Sequence, residues 1–175
     1  MAHKAILSAR SPVFKAMFGH AQTDEAKNSE AKLEDVSPDA VHSLLEFIYS
    51  DHCSSLEDRP GEILAAADKY CLDRLKTMCE AALSRDFCLE NICERLRMAD
   101  SYSAQMLRSR ALRYVHKHKN AIRNSQEWAD LKRECPGLTT GVLEEIMDYQ
   151  DEVIYKTQFT AGQGDPPAKR SRFSV

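Results

Sequence analysis

The chain has little with which to build a catalytic centre. Six glycines and six prolines in 175 residues leave few places where a bare backbone can cradle a phosphate. No G-x-S-x-G, H-E-x-x-H, Walker or G-x-G-x-x-G pattern occurs. The acidic pairs Glu144-Glu145 and Asp151-Glu152 are sequence neighbours, and adjacent helical positions do not face one another, so they read as surface charge. Long hydrophobic runs are missing too: none approaches the roughly 18 residues of a spanning helix. The start, Met1-Ala2-His3-Lys4, lacks the apolar stretch of a signal peptide. A non-enzyme of a reducing compartment is expected.

Metal and cofactor chemistry is equally thin. Cys53, Cys71, Cys79, Cys88, Cys93 and Cys135 contain no C-x-x-C pair. Cys71 and Cys79 fall on an apolar stripe, where a free cysteine acts as a small hydrophobe. His116 and His118 stand two apart in a helical pattern and read as solvated basic surface. No cofactor or metal is expected. The net charge of −3 argues against a generally basic nucleic-acid surface. Neither nucleic acid, membrane nor a small-molecule substrate is an expected partner.

What the chain does have is helical periodicity. Ile63, Leu64, Ala67, Cys71, Leu75, Met78, Cys79 and Ala82 recur at three- and four-residue steps, and pattern alone makes 62–83 one helix. Lys4–Ala9 reads as a short helix ending before Ser11-Pro12, with a second from Pro12 through Phe18. Residues 21–30 read as an exposed loop, and Lys32–Val36 as a short strand. Ser37-Pro38-Asp39 is a helix start, followed by the apolar set Val41, Leu44, Leu45 and Ile48. Leu89, Ile92, Cys93, Leu96 and Ala99 make a further face, and Leu107, Ala111, Leu112 and Val115 another. The latter is flanked by Arg108, Arg110, Arg113, Lys117 and Lys119, which read as a solvated face, with a binding patch as the alternative. Trp128 and Leu131 are expected to pack back on this helix pair. Cys135-Pro136-Gly137 reads as a turn, and Val142, Leu143, Ile146 and Met147 as a last helix to about Gln150. The core is expected in helices 38–83 and 89–123, with residues 1–36 less protected.

The order of local motifs resembles a BTB/POZ domain of the speckle-type POZ (MATH-BTB) family. His3-Lys4-Ala5-Ile6-Leu7 with Ala9-Arg10-Ser11-Pro12-Val13-Phe14 and Ala16-Met17-Phe18 carries the first part of the likeness. Leu33-Glu34-Asp35-Val36 and Phe47-Ile48-Tyr49 carry the next. Ala65-Ala66-Ala67-Asp68-Lys69-Tyr70, then Leu75-Lys76 and Met78-Cys79-Glu80, is the sharpest match. Glu90-Asn91 through Trp128 is similar to the helical extension of that family.

The resemblance implies a mainly α fold. A partial BTB/POZ domain over 1–84 would be followed by a BACK-like helical extension over 88–150. A tail over 157–175, rich in Gly, Pro, Gln and Ser, would be disordered. It also implies two helices meeting near Tyr70–Leu72 instead of one. The chain would begin inside the BTB domain, without its first strands, its first dimer-forming helix or a MATH domain. In function it implies a substrate adaptor of a cullin-3 ubiquitin ligase, working as a BTB homo- or hetero-oligomer in protein ubiquitination and proteasomal degradation. The alternative is a nuclear BTB scaffold or transcriptional co-regulator acting by homotypic association. The family's hydrophobic-x-Glu cullin contact maps to Thr23, Asp24 and Glu25, where Thr replaces the apolar anchor; a solvated loop is the competing reading of these acids. Lys169, Arg170 and Arg172 match a nuclear-import segment, so the nucleus is the expected location, with the cytoplasm as the alternative.

Overall fold

The helices begin and end on identifiable local devices. The computed structural model describes residues 2–19, 33 and 35–147. In chain order these contain α1 (Lys4–Arg10), α2 (Pro12–Gly19), α3 (Pro38–Ser50), α4 (Pro60–Lys69) and α5 (Asp73–Leu83). Then come α6 (Ile92–Ser101), α7 (Gln105–Lys117), α8 (Lys119–Arg123), α9 (Gln126–Glu134) and α10, residues 136–147. Four of these start on proline, whose missing N–H is no loss in the first turn. Ser37 caps α3, its Oγ accepting from the Ala40 N–H at 3.2 Å. Two compact units are present, residues 1–129 and 130–175.

Two helical hairpins dominate the first unit, and they share one design. After α4, Cys71 turns left-handed (φ 50°), the Leu72 N–H reaches Ala67 O at 2.8 Å and the Cys71 N–H reaches Asp68 O at 3.1 Å. That is a Schellman stop. After α6, Ser103 turns left-handed (φ 48°), the Ala104 N–H reaches Ala99 O at 2.8 Å and the Ser103 N–H reaches Asp100 O at 3.3 Å. Ala67-Asp68-Lys69-Tyr70 and Ala99-Asp100-Ser101-Tyr102 therefore occupy equivalent places, and Leu75 and Leu107 follow in step. Even the ion pairs repeat: Lys76 bonds Asp68 at 2.7 Å, and Arg108 bonds Asp100 at 3.2 Å.

The break confirms two helices where periodicity alone gave one over 62–83. It also corrects the place of Cys71, which is exposed and off the apolar stripe, because the left-handed turn swings it outward. Glycine adopts such a φ without a Cβ clash. Cys71→Gly should raise stability by about 0.5–1 kcal/mol, whereas Cys71→Val should lower it by about 1–2 kcal/mol. Urea denaturation of the two variants checks both signs.

Several other expectations shift. No strand forms around Val36: Leu33 is coil, while Asp35 and Val36 bend into the Ser37 cap. Lys32 and Glu34 lie outside the described residues. The Asp35 carboxylate accepts from Lys69 at 2.9 Å, which holds this turn on α4. In α3 the buried set is Ala40, Ser43, Leu44, Phe47 and Ile48, with Val41 and Leu45 half-buried. Cys135-Pro136-Gly137 is not a free turn, since Pro136 opens α10. Leu138 and Val142 are buried there, but Leu143 and Met147 are 50% and 65% exposed. Trp128 and Leu131 are both buried.

Two described residues ahead of Ser37 reach the core. Leu7 and Phe14 belong to the same apolar cluster as Leu44, Phe47, Leu64 and Leu75. Nor do His116 and His118 stand in open solvent. Both are half-buried, and the His118 ring packs 4.4 Å from Tyr114, which itself meets Phe87 at 5.6 Å.

Candidate functional site

Thr23, Asp24 and Glu25 lie outside the described residues, as do Lys169, Arg170 and Arg172. The structure describes the frame on which the first group is mounted. Helix α2 ends at Gly19, directly before residues 20–32, so whatever fixes α2 fixes where that segment departs. Ser11, 1% exposed, does this twice over. Its Oγ accepts from the Phe14 N–H at 3.2 Å, capping α2, and donates to Tyr70 O at 2.7 Å. Phe14 then stacks on Tyr70 with centroids 4.7 Å apart, and Phe18 on Phe14 at 6.0 Å. Thus α2 is clamped to the α4–α5 turn.

Helix α1 is secured separately. Arg10 pairs with Asp51, whose backbone is left-handed (φ 56°) at the end of α3, and Arg74 of α5 approaches the same carboxylate at 3.6 Å. The Arg10 guanidinium also lies 5.9 Å over the Phe47 ring. At the other edge of α1, the His3 N–H donates to Tyr49 Oη at 2.6 Å, leaving Tyr49 45% exposed.

A second feature is an open cleft of about 600 Å³ between the start of α3, α4 and the end of α6. Val36, Ala40, Ala65 and Ala66 supply apolar lining, while Glu62 and Asp68 bring negative charge. Ser37 Oγ donates to Glu62 at 2.9 Å, and Lys69 spans to Asp35. The hydrogen bond that Lys69 donates to Asp35 raises the pKa of its ammonium above the usual value. Tyr102 and Ser101 close one side, so the hairpin stops at 70–72 and 102–104 bring both repeats to this cleft. Nothing in local periodicity marked it. The signal available was the recurrence of Ala-Asp-x-Tyr at 67–70 and 99–102.

The junction of the two hairpins carries a buried charge. Glu80 of α5, 6% exposed, accepts from the Leu107 N–H at 2.9 Å. Leu107 is the third residue of α7, whose own N-cap, Ala104, has no side chain to offer. A carboxylate from the neighbouring hairpin thus does the capping, favoured by the positive end of the helix.

Chemically, hydroxyls do meet bases among the described residues, but at exposed positions: Tyr49 Oη lies 2.9 Å from His3 Nδ1, and Ser54 Oγ donates to the Glu46 carboxylate at 2.9 Å. Burial pushes the Cys79 thiol up to about 12 and that of Cys93 to about 11, and raises Cys53. These thiols stay protonated and unreactive at neutral pH. The described residues also offer clamped helices, a cleft and charged faces.

The match to known families agrees. Residues 1–87 match the family model of the BTB/POZ domain. The chain carries a BTB/POZ domain. Such a domain is an interaction domain, not a catalytic one. The similarity continues past it: Protein maternal effect lethal 26 of Caenorhabditis elegans is 39% identical over 146 residues, which is 83% of this chain. The chain spans 37% of that relative's length. Since 146 aligned residues exceed the 87 of the BTB/POZ match, the likeness takes in helices beyond residue 87.

Proposed function

We propose that the chain is a non-catalytic adaptor, or a regulator of such adaptors, on a cullin-3 ubiquitin ligase. The observation that carries this reading is the joining of the BTB/POZ domain to its helical extension. Glu80 ties one hairpin to the next at 2.9 Å, so domain and extension present a single surface beside the cleft. Ser11 and Phe14 anchor the helix from which residues 20–32 depart, and a partner segment recognised there meets a preset frame. The BTB/POZ match and the similarity to maternal effect lethal 26 support the same class of protein.

The reading has a quantitative consequence. Cullin affinity should be limited by Thr23, which stands where an apolar anchor is expected. Burying such a side chain contributes about 1.5–3 kcal/mol. Thr23→Met should therefore strengthen retention of cullin-3 roughly tenfold or more in a pull-down. Capture in neither form overturns the cullin assignment.

A further inference from the structure

Helices α7 and α8 carry Arg108, Arg110, Arg113, Lys117, Lys119 and Arg123 and no acidic residue, in a chain whose net charge is −3. Positive charge is concentrated here. Arg108 is engaged by Asp100. Arg110, Arg113, Lys117, Lys119 and Arg123 form no ion pair among the described residues. On α7 the inner side is set by Leu107, Ala111 and Val115. At about 100° per residue, Arg110, Arg113 and Lys117 fall within one arc of about 60° turned away from it. They climb the helix in steps of about 4.5 and 6 Å. Lys119 and Arg123, four apart on α8, add two cations beyond the end of α7.

The charge does not belong to the hairpin design. In the first hairpin, the positions equivalent to Arg110 and Arg113 are Met78 and Ala81, both half-buried. The second hairpin has exchanged them for guanidinium groups, that of Arg110 half-buried and that of Arg113 exposed. A solvated face requires no such register. Carboxylates on one face of an α-helix recur with the same rise, and each arginine fork pairs with a carboxylate through two parallel hydrogen bonds. The aromatic ring of α7, Tyr114, is taken up by Phe87 and His118, so it offers no platform on which a base can stack.

We propose that this strip docks an acidic amphipathic helix of a partner protein. The assignment is independent of the cullin reading, since it uses neither residues 23–25 nor the cleft. The test is an NMR titration of the full chain with a synthetic Ala/Glu helix whose glutamates share one face. Saturable shifts confined to residues around 106–123, weakened by added salt, are expected. The double substitution Arg113→Glu and Lys117→Glu should weaken binding tenfold or more while thermal melting stays unchanged. A control peptide of the same composition, with glutamates scattered around the helix, should bind at least severalfold less tightly. Equal binding of the control, absence of binding, or tighter binding of a DNA or RNA oligonucleotide would each overturn the proposal.

Discussion

Phe14→Ala should be the most damaging single substitution in the first unit, costing about 3–5 kcal/mol. The ring is 3% exposed and lies between Phe18 and Tyr70, so its removal leaves a cavity bounded by stiff aromatic walls. Those walls cannot collapse far, because Tyr70 O is held by Ser11 Oγ and Tyr70 sits at the stop of α4. Lost stacking adds to lost burial. Phe14→Leu keeps most of the volume and should cost about 1–2 kcal/mol. Urea denaturation distinguishes the two, provided the slope with denaturant stays constant. A Phe14→Ala cost below that of Phe14→Leu would show that α2 is not clamped as described. Because α2 carries the chain to residues 20–32, the same substitution should also reduce capture of a partner recognised there.

Glu80→Ala should come next, at about 2–3 kcal/mol. The substitution strands the Leu107 N–H in a buried place and removes a charge from the positive end of α7. Glu80→Gln keeps an acceptor oxygen and loses only the charge, for roughly 1 kcal/mol or less. Amide exchange locates the effect. In Glu80→Ala, protection should fall first at Leu107 and the opening turn of α7, while Leu64 and Cys79 keep theirs until global unfolding. Uniform loss across both hairpins would mean that Glu80 supports the core generally instead of latching one hairpin to the other.

Much of this fold was legible in the sequence where a single residue imposes a single geometry. Pro12 and Pro38 start helices, Ser37 caps one, and the 3.6-residue period places Ile63, Leu64, Leu75, Leu96 and Leu107 inside, whereas Pro60, which reads as the end of a linking loop, opens α4. Geometry set by tertiary contact was less legible. The left-handed turn at Cys71 has no glycine to announce it, and the apolar stripe runs straight through it, so only family likeness pointed to the break. Lys32–Val36 alternates like a strand, yet the pull of the Ser37 cap and the Lys69 ion pair bends the chain at Asp35. Leu143 and Met147 share the period of Val142, but the buried side of α10 is centred one position away. As for the interaction site, Ser11 and Glu80 were hidden because their meaning lies in partners 59 and 27 residues distant. Thr23, Asp24, Glu25 and the tail cluster are legible only by likeness, and they fall outside the described residues.

The end of the BTB/POZ match at residue 87 falls between two interlocked copies of one hairpin. A boundary drawn by family likeness therefore bisects a stack whose rungs prop each other up. Cut there, the upstream piece would keep its sequence signature and yet present a raw, unfinished side to water, with the Glu80 carboxylate robbed of its N–H partner. In this protein the unit of recognition is shorter than the unit of folding.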